Sequence, residues 1–156
     1  MPDLTADEIL EFRTTYIRDL YTASPLVTLS HYNRAVRAAF FSDSDLETIH
    51  DRVQTDYAEE LLGVYDTKYN ERLEFGDTEE DAATAATAEK TMAIFRLMRA
   101  ECRQIMMEDP GFVGSVADNE QRAAVFANWK AAIERDRTFV RTRTSSAFAG
   151  LQVVRL

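Results

Sequence analysis

Glu47-Thr-Ile-His50 sets a carboxylate and an imidazole three residues apart. This Glu-x-x-His spacing is one half of the ligand set that holds paired iron atoms in carboxylate-bridged helical bundles. The other half needs a second such pair and further inward glutamates. His31 is the remaining histidine, and Thr28 stands three residues before it. The half-site has no mate, so Glu47 reads as a capping residue and His50 as a surface side chain. Asp43-Ser-Asp45 and Asp77-Thr-Glu-Glu-Asp81 have the acid density of calcium loops. A loop of that kind needs Gly at its sixth position and Glu at its twelfth. Those positions hold Thr48 and Gln54 in one case, Ala82 and Ala88 in the other, so both runs read as helix caps. Gly111-Phe-Val-Gly-Ser115 shares only its glycines with a phosphate loop and follows a helix rather than a strand. It reads as a turn whose Phe112 and Val113 could dock onto a partner. Cys102 falls on an apolar helical stripe, where a thiol is inert. With no Gly-x-Ser-x-Gly elbow either, the sequence predicts no catalytic residues, no metal and no cofactor.

The elements that carry these residues are helices. The 156 residues suit one domain. Hydrophobic residues make up 46% and charged residues 29%, the balance of a chain that folds around a core. Gly (5) and Pro (3) are too scarce for a turn-rich β-sandwich, and a single cysteine excludes an internal disulfide. Thr5 with Glu8 forms a capping box, and Ile9, Phe12, Tyr16 and Leu20 then mark a helix over 6–22. Pro25 opens a second helix, about 26–41. Ser44 with Glu47 caps a third over 45–75, with Leu46, Ile49, Val53, Tyr57, Leu61 and Val64 in step. Gly76 suits a left-handed stop, and Asp77 or Thr78 caps a fourth helix over 79–108. Pro110 ends it. A fifth helix, about 119–136, turns Val125, Phe126, Trp129 and Ile133 inward. The expectation is an all-α bundle of about five helices built on an antiparallel hairpin of 45–75 and 79–108. Residues 137–156 lose the stripe, are β-prone, and read as an extended arm beyond a bundle domain of 1–136.

Charge divides along the same line. Residues 1–134 carry 13 basic against 26 acidic side chains, whereas 135–156 carry Arg135, Arg137, Arg141, Arg143 and Arg155 against Asp136 alone. An acidic body repels nucleic acid and anionic membrane. Its arginines interleave with the acids, as Arg52 with Asp51, Arg72 with Glu71 and Glu74, and Arg99 and Arg103 around Glu101. That mixture reads as solvated, salt-bridged helix faces rather than an unbroken DNA mimic. Three lysines against fifteen arginines, with the excess of acid, give a halophile-like composition. The N-terminus has no apolar leader and no stretch is long enough to span a bilayer, so a cytoplasmic or virion location is expected.

The basic arm either straps its own bundle or reaches a neighbour. Its charge is opposite to that of the body, and its end is apolar, which favours the neighbour. In this reading Arg141 and Arg143 meet acids of an adjacent subunit while Phe148, Leu151, Val153, Val154 and Leu156 fill a groove. Repetition of such a heterologous contact closes a ring. In architecture the chain resembles the small helical adaptors of tailed-virus head–tail connectors, which implies a non-enzymatic assembly subunit with itself and other subunits as partners. An acidic regulator of a basic protein is the alternative, or an enzyme whose site is not legible in these motifs.

Overall fold

The computed structural model describes residues 3–17, 41–110 and 119–155, with the backbone alone at 119–122, 125 and 144–155. The described residues are all-α, with no strand. The expected helix 26–41 lies outside them except for Phe41, which is not helical.

Thr5 starts α1 (Ala6–Glu11) as its spacing predicts: the Thr5 hydroxyl accepts from the Glu8 amide at 3.2 Å and Glu8 Oε1 accepts from the Thr5 amide at 3.1 Å. The chain does not stay α-helical. Phe12–Ile17 is a π-helical turn, an insertion of the kind that re-aims side chains within a helix. It sets Phe12 and Tyr16 in a stack at 5.8 Å, and both rings meet Phe95 of the fourth helix, at 5.7 and 5.3 Å.

The third expected helix is two. Ser42, not Ser44, is the cap: its hydroxyl accepts from the Asp45 amide at 3.1 Å, and Asp45 Oδ2 accepts from the Ser42 amide at 3.0 Å. Helix α2 (Asp43–Asp56) ends at Tyr57, whose φ of −116° and ψ of 27° break the regular backbone before α3 (Ala58–Glu74). The amide of Tyr57 still donates to Val53 and its carbonyl still accepts from Leu61, so the axis bends without coming apart. Neither Gly nor Pro stands at the bend. The Thr55 hydroxyl donates to the Asp51 carbonyl at 3.0 Å, a back-bond that loosens the turn before it.

At the other end of α3, Gly76 takes φ +93° and turns the chain, with Thr78 capping α4 (Glu79–Glu108) through the Asp81 amide at 3.1 Å. The two acidic runs are therefore caps. Helices α3 and α4 make the most extensive contact among the described elements. The first turns of α4 bury Ala82 and Ala86 without side-chain bulk, whereas its second half buries Phe95, Leu97, Met98, Cys102 and Met106. These side chains form one core with Phe12, Leu46, Leu61, Trp129 and Val140.

The last helix overturns the expected arm. Helix α5 runs without interruption from Asn119 to Arg155, so residues 137–155 are helical rather than extended. In sequence, the four–three spacing of Trp129, Ile133, Asp136 and Val140 resumes at Ala147, Leu151 and Val154. Helix α5 packs on both α3 and α4. The boundary drawn at residue 137 is not the end of an element.

Candidate functional site

Asp136 meets three arginines and sits in the buried row of α5, 2% exposed. Arg99 grips it with both arms of its guanidinium, Nε to Oδ2 at 2.9 Å and Nη2 to Oδ1 at 2.6 Å. Arg103 reaches Oδ2 at 3.4 Å and Arg96 approaches Oδ1 to 3.7 Å. The three arginines are spaced three and four apart on α4, which stacks them on one face and explains how one carboxylate serves all of them. Aromatic rings surround this knot. Arg96 lies 3.7 Å above the Phe139 ring, Arg143 lies 4.1 Å from the same ring, and Arg99 lies 5.2 Å from Tyr16. Burial pushes the Tyr16 phenol above its ordinary value, with Arg99 and Arg96 opposing the shift. The knot ties the π-helical turn, α4 and α5 together.

This arrangement corrects the reading of Arg99 and Arg103 as partners of a solvated Glu101. Glu101 pairs instead with Arg52 of α2 at 3.0 Å, and Arg72 pairs with Asp77 at 2.7 Å. The legible signal was Asp136 itself, a lone acid within an apolar four–three row.

Of the residues expected at a subunit interface, Arg143 reaches its own α4: Nη1 lies 2.5 Å from Glu89 Oε1, a charge contact without hydrogen-bond alignment. Arg141 is exposed and lies 3.9 Å from Glu134 on its own helix. The backbone of Phe148, Leu151, Val153 and Val154 belongs to the last turns of α5. Leu156, Phe112 and Val113 lie outside the described residues.

His50 is not on the surface. It is 4% exposed, and Gln54, one turn on, is 7% exposed with its Nε2 2.8 Å from His50 Nδ1. Burial holds the imidazole below its ordinary 6.5 although Glu8, Asp51 and Asp3 pull it upward. Glu47 stays exposed and does not cap α2. Among the described residues no three His, Cys, Asp or Glu side chains come together as a metal site. Cys102 is fully buried as its stripe predicts, and burial pushes its thiol far up, out of thiolate chemistry. No helix among the described residues is long and apolar enough to cross a membrane.

No protein family, curated protein or solved structure matches this chain.

Proposed function

We propose that the protein is a non-enzymatic, helical subunit of a larger protein assembly, joined to its neighbours through the last turns of α5. The observation that carries the reading is the distribution of apolar residues there. A helix advances about 100° per residue. By that spacing Leu151 and Val154 continue the row of Trp129, Ile133 and Val140, while Phe148 and Val153 fall outside it. A helix apolar on more than one side needs cover on more than one side. Trp129, Ile133 and Val140 are buried within the chain itself; in this reading a second copy, or another subunit, covers the other apolar side of the last turns. The Asp136 knot and the Arg143–Glu89 contact tie the helix to α4 as far as Arg143. Exposed Arg141 suits the acidic surface of a neighbour. A head–tail connector ring is one assembly that such a subunit would fit.

Light scattering on the full chain and on Phe148→Asp with Val153→Asp tests the proposal. The expected result is a defined oligomer that becomes a folded monomer in the double variant. A full-length chain that stays monomeric at every concentration would refute it.

A further inference from the structure

Helix α3 is apolar on two sides. One faces the core, where Leu61 and Val64 are buried. The other is a second row, Leu62, Tyr65, Tyr69 and Leu73, kept on one face by its three–four–four spacing. Leu62 is 59% exposed, and Tyr65, Tyr69 and Leu73 are half-buried. The Tyr65 and Tyr69 rings stack with centroids 6.1 Å apart, which joins them into one surface. The chain's own α5 meets α3 elsewhere: Arg143 lines a cleft with Val64, Thr67, Lys68 and Glu71. At about 100° per residue, those four positions lie across α3 from Leu62, Tyr69 and Leu73. We infer that the second row seats the last turns of α5 of a neighbouring copy, an inference that rests on the assembly reading above and names its receiving surface.

Charge selects the occupant. Exposed Glu59, Asp66 and Glu74 flank the row on one edge. Over Ala58–Glu74 five acids stand against Lys68 and Arg72, so two α3 helices laid face to face would set like charges together. Residues 137–156 carry four arginines and no acid. Among them Arg141, Phe148 and Arg155 stand seven apart, two turns of helix, on a side that is not that of Val140, Leu151 and Val154. At 1.5 Å per residue, Arg141 to Arg155 spans about 21 Å and Glu59 to Glu74 about 22 Å. With the two arginines over the two end acids, Phe148 comes to the middle of the Leu62–Tyr69 stretch. The donating and receiving surfaces differ, so each contact leaves one of each unused, and the series ends when a ring closes.

Light scattering and circular dichroism on full-length chains test the inference. The receiving variant is Leu62→Asp with Asp66→Arg, both at exposed positions. The donating variant is Phe148→Asp with Val153→Asp. Each alone should be a folded monomer. Mixed, they should form a one-to-one pair and nothing larger, because one keeps the α5 end and the other keeps the α3 row. A receiving variant that assembles like the parent while the donating variant does not would overturn the inference and leave the assembly reading standing. A mixture that stays monomeric overturns it as well, and a monomeric parent overturns both. If Leu62→Asp costs helicity, Glu59→Arg with Asp66→Arg reads the same row through charge alone. That variant should raise the concentration of half-assembly at least about tenfold at low salt, and adding Arg141→Glu should recover most of the loss. An unchanged half-assembly concentration would overturn the inference.

Discussion

Replacing Asp136 with Asn should be among the most damaging single-atom changes the chain can suffer. Asn keeps the shape of the side chain and removes the charge that Arg96, Arg99 and Arg103 all reach. The side chains of Arg103 and Arg99 are 4% and 14% exposed, so water cannot replace the lost partner. Breaking a buried pair by neutralising one member costs about 3–5 kcal/mol. Arg96 is 29% exposed and keeps some hydration, which places the expected cost near the lower end, about 3 kcal/mol. For a chain of this size that is a fall of about 6–12 °C in melting temperature. Chemical denaturation followed by circular dichroism measures it, with Glu134→Gln as the comparison. Glu134 meets Arg137 and Arg141 at 3.7 and 3.9 Å on an exposed helix face, where a pair contributes at most about 1 kcal/mol. Added salt separates the two further, since screening acts on exposed charges and hardly on buried ones. A cost below about 1 kcal/mol for Asp136→Asn, or a cost that vanishes in molar salt, would refute the claim that this carboxylate holds the three helical segments together.

Other consequences follow from charge and burial. The acidic body, 13 bases against 26 acids over residues 1–134, should self-repel, so the melting temperature should rise from millimolar to molar sodium chloride. The Cys102 thiol should resist a thiol reagent in the native protein and react at the rate at which the core opens, measured by absorbance with and without denaturant. For His50 the folded state resists the proton that the unfolded chain accepts near 6.5, so the unfolded state binds more protons and stability falls as pH drops through that value. His50→Gln removes this contribution. The stability of the parent relative to the variant should therefore shrink between about pH 7.5 and 5.5, since the comparison cancels what the two proteins share.

The helices that rest on local chemistry were legible. Thr5 with Glu8, and Thr78 before three acids, announce their helix starts because a cap is decided by residues within one turn. Gly76 announces the hairpin for the same reason. Ser42 was missed in favour of Ser44 because Asp45 and Glu47 offer two capping boxes two residues apart. Local rules cannot choose between them. Packing chose: Phe41 is buried, and its carbonyl accepts from Arg13 at 2.9 Å, which fixes where the chain enters α2. The bend at Tyr57 and the π-helical turn at Phe12–Ile17 are likewise invisible to a periodicity of 3.6, since neither breaks the apolar order by more than one residue.

The site is less legible than the fold because residue type alone misplaces its members and only register places them. Arginine is an exposed residue on average, and Arg99 and Arg103 stand beside Glu101, so pairing along the helix was the natural expectation. Register gives a different answer. Positions 99, 103 and 106 lie on the same side of α4 as Phe95 and Cys102, both buried, and a charge there must find its partner across the interface. Asp136 supplies it from the buried row of α5. The same reasoning moves His50 inward, since it follows Leu46 by one turn and precedes Gln54 by another, and all three are buried. Charge seen in sequence thus has two physical meanings, a solvated face or a buried crossing point. The four–three register of the neighbouring apolar residues separates them, and in this chain it does so for the acid of α5 and the arginines of α4 alike.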